Sequence, residues 1–153
     1  MKHIRLAVCG AGNRGSGVTL NVICALEEVG IVSVCDLRRD NAEALADKVA
    51  EKNGSKPNVY TDYIQMFDNE MPDVVFVATS FDSHVAISTC AMEKGIAVGL
   101  EVGGAAGIEE CLALIDAYER TQTPFMFLEN CCYGKDELLA ASLAKRGILG
   151  EVI

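Results

Sequence analysis

Ile4-Arg5-Leu6-Ala7-Val8-Cys9 runs directly into Gly10-Ala11-Gly12-Asn13-Arg14-Gly15, and this junction decides the fold. The first six residues form a short, mostly apolar run, the pattern of a parallel strand buried on both faces. The next six fit G-x-G-x-x-G and open a predicted helix over Arg14–Val29, stopped by Gly30. Strand, glycine turn and helix in that order make a phosphate cradle. One glycine permits the tight turn, one lets a pyrophosphate approach the backbone, and one lets helix and strand pack closely. The first helical turn adds unpaired N–H groups and the positive end of a dipole.

The next strand, Ile31–Cys35, ends at Asp36, which lies 36 − 15 = 21 residues beyond Gly15. At that distance a carboxylate accepts hydrogen bonds from the adenosine ribose hydroxyls of a dinucleotide. It also repels a 2′-phosphate, which favours NAD over NADP. Arg38 and Arg39 follow and offer the opposite reading, cations for a 2′-phosphate, unless they only open a solvated helix.

Strand and helix continue to alternate. Helix is expected over Asn41–Lys52, broken by Asn53-Gly54-Ser55, with a short third strand at Val59-Tyr60 and a helix over Tyr63–Asn69. Asp73–Ala78 is the clearest strand in the chain. A helix capped by Asp82 or Ser83 then runs to Lys94 and stops at Gly95. Ile96–Leu100 and Phe125–Leu128 read as further strands. The helix between them, Ile108–Thr121, places Leu112, Ile115 and Tyr118 at helical spacing. A last helix covers Asp136–Arg146, up to Gly147. Six strands with intervening helices predict an α/β, doubly wound, mostly parallel sheet of Rossmann type. Gly150-Glu151-Val152-Ile153 resembles the start of another strand, so the 153 residues are expected to be a dinucleotide-binding domain whose C-terminal substrate domain is missing.

Composition agrees and excludes other classes. Half the residues are hydrophobic and 23% are charged, and 13 basic against 22 acidic residues give a net charge of −9. An acidic chain repels nucleic acid, so no nucleic-acid partner is expected. No apolar run approaches the roughly 20 residues of a membrane span, and Ile4–Cys9 is too short for a signal-peptide core. Seven cysteines, an odd number without a CxxC pair, point to reduced thiols and a cytoplasmic protein. The adjacent Cys131 and Cys132 make a poor disulfide and are taken as thiols. No set of zinc ligands is evident, so no metal is expected.

The remaining candidate residues stand just after strands, where such sheets bind ligands. Thr79, Ser80 and His84 follow the fourth strand. Each could line the cofactor, with His84 as a proton-transfer group, or the segment could simply cap the next helix. Glu101 and Val102 follow the fifth strand at the nicotinamide side. Asn130 and Tyr133 follow the sixth. Asn130 could bond the nicotinamide end, and Tyr133 could face a substrate or be an ordinary packed ring.

These residues together resemble the Gfo/Idh/MocA superfamily of NAD(P)-dependent oxidoreductases. The likeness rests on Gly10–Gly15, Asp36, Ala78-Thr79 followed by His84, Glu101, and Gly147-Ile148-Leu149-Gly150-Glu151. It implies cofactor binding here, a substrate site carried mainly by a further C-terminal domain, and a homo-oligomer when full length. One departure is informative. Glu101-Val102-Gly103 stands where the family has Glu-Lys-Pro, whose lysine is commonly catalytic or nicotinamide-positioning. Asn13-Arg14-Gly15, Glu101-Val102 and Glu129-Asn130-x-x-Tyr133 are similar instead to the superfamily's NAD-dependent glycoside hydrolases, apart from Gly103 in place of their proline. Three functions remain open: hydride transfer on a sugar or polyol, redox-assisted glycoside hydrolysis with retained NAD, and a non-catalytic NAD(H)-binding regulator.

Overall fold

The structure is a computed structural model, and it describes residues 3–151. Six strands form one all-parallel sheet: β1 Ile4–Cys9, β2 Val29–Cys35, β3 Asn58–Tyr60, β4 Val74–Val77, β5 Ala97–Leu100 and β6 Phe125–Phe127. Their spatial order is β3-β2-β1-β4-β5-β6. The helices are α1 Asn13–Asn21, α2 Arg39–Asn53, α3 Tyr63–Glu70, α4 Phe81–Glu93, α5 Ile108–Thr121 and α6 Lys135–Lys145. The doubly wound Rossmann sheet expected from the alternation is therefore present. The order reverses between β1 and β4, which opens a crevice at their carboxyl ends.

Alternation along the central strands splits the core in two. Leu6 and Val8 of β1, with Val34 and Phe76, pack under α1 and α2 against Ala42, Leu45 and Val49. Ala7 and Cys9, with Val75 and Val77, pack on the other face against Met66, Phe67, Val85 and Leu114. A strand buried on both sides has no polar alternation, which is why β1 and β4 read as continuous apolar runs.

Four expectations need correction. The helix foreseen over Arg14–Val29 ends at Asn21 and gives way to a 3₁₀ turn at Ile23–Ala25. Gly30 is no helix stop but a strand residue, because Val29 and Gly30 pair with Ile4 and Arg5 in the parallel ladder. Sheet pairing wins over local helix pattern. The cap of α4 is Ser80, which puts Asp82 and Ser83 inside its first turn. On α5 the buried face is Leu114 and Ala117, whereas Leu112, Ile115 and Tyr118 are exposed. No residue of α6 is buried. The final strand expected at 150–153 falls partly outside the described residues. None of the described helices is long and apolar enough to cross a membrane.

Phe67 is the bulkiest fully buried side chain and meets Tyr63 edge-on, ring centroids 5.9 Å apart. Replacing Phe67 with Ala is expected to cost about 3–5 kcal/mol of folding free energy in urea titration. A loss under roughly 1 kcal/mol would show that this half of the core is not close-packed.

Candidate dinucleotide cleft

The cleft begins where β1 stops. Gly10 donates its N–H to the Cys35 carbonyl at 2.8 Å, and Ala78 donates to Cys9 at 2.8 Å, so the turn is clamped between β2 and β4. Gly10 holds φ +98°, and a Cβ there would overlap the Ala78 carbonyl. Gly15 is buried under the loop, and a Cβ on it would run into the Gly10 carbonyl. Both positions therefore exclude any side chain. Gly12 caps α1, and no side chain caps this helix end. The open N–H groups of that turn suit a phosphate.

Asp36 faces the same loop. Its carboxylate accepts from Ala11 N at 2.8 Å and Arg38 N at 2.9 Å, with Asn41 Nδ2 at 3.4 Å. A carboxylate has about four lone-pair sites, so capacity remains for a ribose hydroxyl. A cavity of about 440 Å³ joins Gly10, Gly12, Asn13, Asp36, Thr79 and Ser80. It also takes in Leu37, Thr61 and Tyr63, which the sequence reading did not single out. The position of Thr61 and Tyr63 just past β3 is the signal that would have found them. Arg38 and Arg39 do not line this cavity and instead form exposed ion pairs with Asp40 and Glu43. Cys9, beneath the cleft, is held as a neutral thiol by its hydrogen bond to Cys35 and by burial. All seven cysteines are free.

A second cavity of about 400 Å³ adjoins the first, sharing Arg14, Ala78 and Thr79, and brings in His84, Glu101, Val102 and Asn130. Arg14 spans it. Its Nε donates to Glu101 Oε2 at 2.6 Å and its Nη2 to Oε1 at 3.1 Å, a bidentate pair. The same Nη2 lies 3.5 Å from Asn130 Oδ1, and Val102 N donates to Glu101 at 3.2 Å. The Arg14 guanidinium holds the Glu101 carboxyl below its ordinary value, against the opposing pull of burial. Glu101 thus stays ionised and fixes Arg14.

His84 is buried, with Nε2 3.1 Å from the Thr79 carbonyl. A carbonyl only accepts, so Nε2 carries the proton, and Nδ1 has no partner among the described residues. Ser83 Oγ donates to Thr79 Oγ1 at 2.8 Å. The turn after β4 is therefore tied down from two sides. Tyr133 is not brought to His84. It sits 67% exposed on a short 3₁₀ turn and lines another cavity, on the α1 side, that also touches Arg14, Glu101 and Asn130. Among the described residues no cluster of three or more His, Cys, Asp or Glu side chains forms a metal cage.

Because the Glu101 pKa is depressed, its stabilisation is present at neutral pH and lost as pH falls below the ordinary carboxylate range. Glu101→Gln is expected to melt roughly 2–4 °C below the parent at about pH 7. That gap should close in thermal scans as pH falls through the depressed Glu101 pKa, since the parent's Glu101 then becomes neutral too. A gap independent of pH would mean the ion pair contributes nothing.

Comparison with known proteins follows the geometry. The family model described as "Oxidoreductase family, NAD-binding Rossmann fold" (Gfo/Idh/MocA) matches residues 4–128. A glycosyl hydrolase family 109 protein of Streptomyces niveus is 37% identical over 98% of this chain and 31% of its own length. An alpha-N-acetylgalactosaminidase of Bacteroides fragilis is 34% identical over 97% of the chain and 36% of its own length. The chain thus spans about a third of the length of these curated relatives. In shape it matches a scyllo-inositol dehydrogenase of Lactobacillus casei with bound NAD(H) and scyllo-inositol, with a TM-score of 0.82 at 17% identity, covering 98% of this chain and 43% of that one. Glycine loop, the carboxylate after β2, sheet order and family match agree: the chain belongs to the Gfo/Idh/MocA oxidoreductase family and carries its NAD-binding Rossmann fold.

Proposed function

We propose that this chain is the cofactor half of an NAD-dependent enzyme that acts on a sugar or polyol. The observation that carries the choice of NAD is Asp36, fixed by the Ala11 N–H at the rim of the 440 Å³ cavity. A carboxylate locked there accepts from a ribose diol and repels a 2′-phosphate. The two nearby arginines are engaged by Asp40 and Glu43. Gly10, Gly12, Asn13 and Gly15 form the pyrophosphate cradle. Arg14, Thr79, Ser80, Val102 and Asn130 line the nicotinamide side.

Bound NAD supplies a hydride acceptor at its nicotinamide ring. The protein's own part is orientation. Glu101 is ionised and paired, so it positions Arg14 and does not take a proton. His84 holds the Thr79 turn through Nε2, which leaves Nδ1 as its only atom for proton handling. Tyr133, exposed beside Asn130, is the residue that faces substrate.

A second reading is redox-assisted glycoside hydrolysis, in which NAD is oxidant and then reductant in one turnover. Two observations favour it: the relatives named as glycosyl hydrolase family 109 proteins, and Val102 where a dehydrogenase of this family carries lysine. It requires glycoside cleavage without net accumulation of NADH, whereas a dehydrogenase accumulates NADH in step with product.

Titration calorimetry tests the shared reading. NAD+ is expected to bind at least roughly tenfold more tightly than NADP+, and Asp36→Ala to weaken NAD+ by roughly tenfold or more, the scale of a lost hydrogen bond to a charged group. Equal affinity for NAD+ and NADP+ would overturn the assignment of Asp36.

A further inference from the structure

Two of the seven cysteines stand side by side at the floor of the cleft, and neither takes part in the function proposed above. Cys9 is the last residue of β1 and Cys35 the last of β2, and the two are direct partners in the parallel ladder. Both side chains lie on the same face of the sheet, in the same half of the core. The two sulfurs meet, because the Cys9 thiol is hydrogen-bonded to Cys35. Neighbouring strands lie about 4.7–4.9 Å apart, inside the roughly 4.4–6.8 Å that a disulfide spans between Cα atoms. The backbone on both sides is fixed. The Cys9 carbonyl accepts from Ala78 N and the Cys35 carbonyl from Gly10 N, each at 2.8 Å. Rotation of the two side chains therefore suffices to bring sulfur to sulfur.

Both cysteines also line the 440 Å³ cavity, with Cys35 5% and Cys9 1% exposed. A third thiol near Cys9, that of Cys90 on α4, does not line it. A peroxide molecule is small enough to reach the pair through this cavity. A dinucleotide lying across Gly10 and Asp36 fills the same space.

We propose that Cys9 and Cys35 are a modification site: a small peroxide oxidises them to a disulfide while the cleft is empty, and a bound dinucleotide shields them. The shielding rests on the NAD reading given above, and the disulfide does not. Cys35, the more exposed sulfur, attacks one peroxide oxygen as its thiolate. The O–O bond breaks, and the proton that Cys35 shed leaves with the departing oxygen as water. Cys9 then attacks the resulting sulfenic sulfur. The S–O bond breaks, and the Cys9 proton leaves with the hydroxyl as a second water. The two thiols lose two electrons and the peroxide gains them. The cross-link ties the end of β1, where the glycine turn starts, to the end of β2, where Asp36 follows. A thiol reductant reverses it.

The test exposes the 153-residue chain to hydrogen peroxide with and without NAD+. Remaining thiols are blocked with N-ethylmaleimide in urea, and the chain is cut without reductant by trypsin and a glutamate-specific protease. The expected product joins residues 6–14 to residues 29–38, each of which holds a single cysteine. Dithiothreitol separates them again. NAD+ at about ten times its Kd, measured by calorimetry, slows the cross-link about tenfold, because only the unliganded fraction reacts. Cys9→Ser leaves Cys35 without a partner, and the same treatment carries it on to sulfinic acid. Recovery of Cys9 and Cys35 as maleimide adducts after the exposed Cys111, Cys131 and Cys132 have been oxidised overturns the proposal, as does a link from Cys9 to Cys90. A cross-link formed at an unchanged rate in saturating NAD+ overturns the shielding. Failure of the chain to bind NAD+ overturns the NAD reading and the shielding with it, while the linked peptide still decides the thiol pair.

Discussion

The carbonyl of Ala78 occupies the space that a side chain at residue 10 would need, and the cleft depends on that contact. It brings β1 and β4 together at the point where strand order reverses. It also turns the chain so that α1 starts facing the crevice. Gly15 repeats the constraint one helical turn later, against the carbonyl of Gly10 itself. Two missing Cβ atoms therefore set both the direction of α1 and its distance from the sheet. Ala11, held between them, is the residue whose N–H reaches Asp36 at 2.8 Å. The glycine turn and the Asp36 carboxylate are thus tied together through one backbone turn.

Across the crevice, Arg14 links that turn to the far strands. It leaves the first turn of α1 and closes on Glu101 at the end of β5 and on Asn130 after β6. These residues are 87 and 116 positions away in sequence. Charge-assisted bidentate bonds are directional, so the pair holds the crevice width as well as adding stability. The acidic surface of the chain need not oppose an anionic ligand here, because the backbone N–H groups of the glycine turn and the end of α1 suit a phosphate.

Much of this was legible because it rests on local rules. The glycine turn, the acid after β2 and the apolar runs of β1 and β4 are each set by backbone geometry or two-sided burial, and each appears where it was read. What failed depended on distant partners. Val29 and Gly30 look like the end of a helix until Ile4 and Arg5 are placed beside them. Leu112, Ile115 and Tyr118 have helical spacing, but the sheet ends at β6, and α5 turns Leu114 and Ala117 inward instead. In the site, Glu101 was read as a cofactor contact, and nothing local shows that Arg14 also engages it. Phe81 lies inside the segment read as a cofactor edge or a helix cap, and nothing local shows that its ring packs on Gly103.

The replacement of lysine by Val102 changes what this edge can do. An ammonium group can give up a proton, and burial lowers its pKa readily. The cation that this chain places at the same edge is a guanidinium, which stays charged at any physiological pH. Its paired carboxylate raises its pKa further. Arg14 can orient and neutralise charge but cannot carry a proton in turnover. Glu101 is spent holding Arg14, and His84 Nε2 is spent on the Thr79 carbonyl. Within this half of the site the strong polar groups are committed to shape. On the function proposed above, that division suits a cofactor domain, with proton chemistry left to groups that meet the substrate.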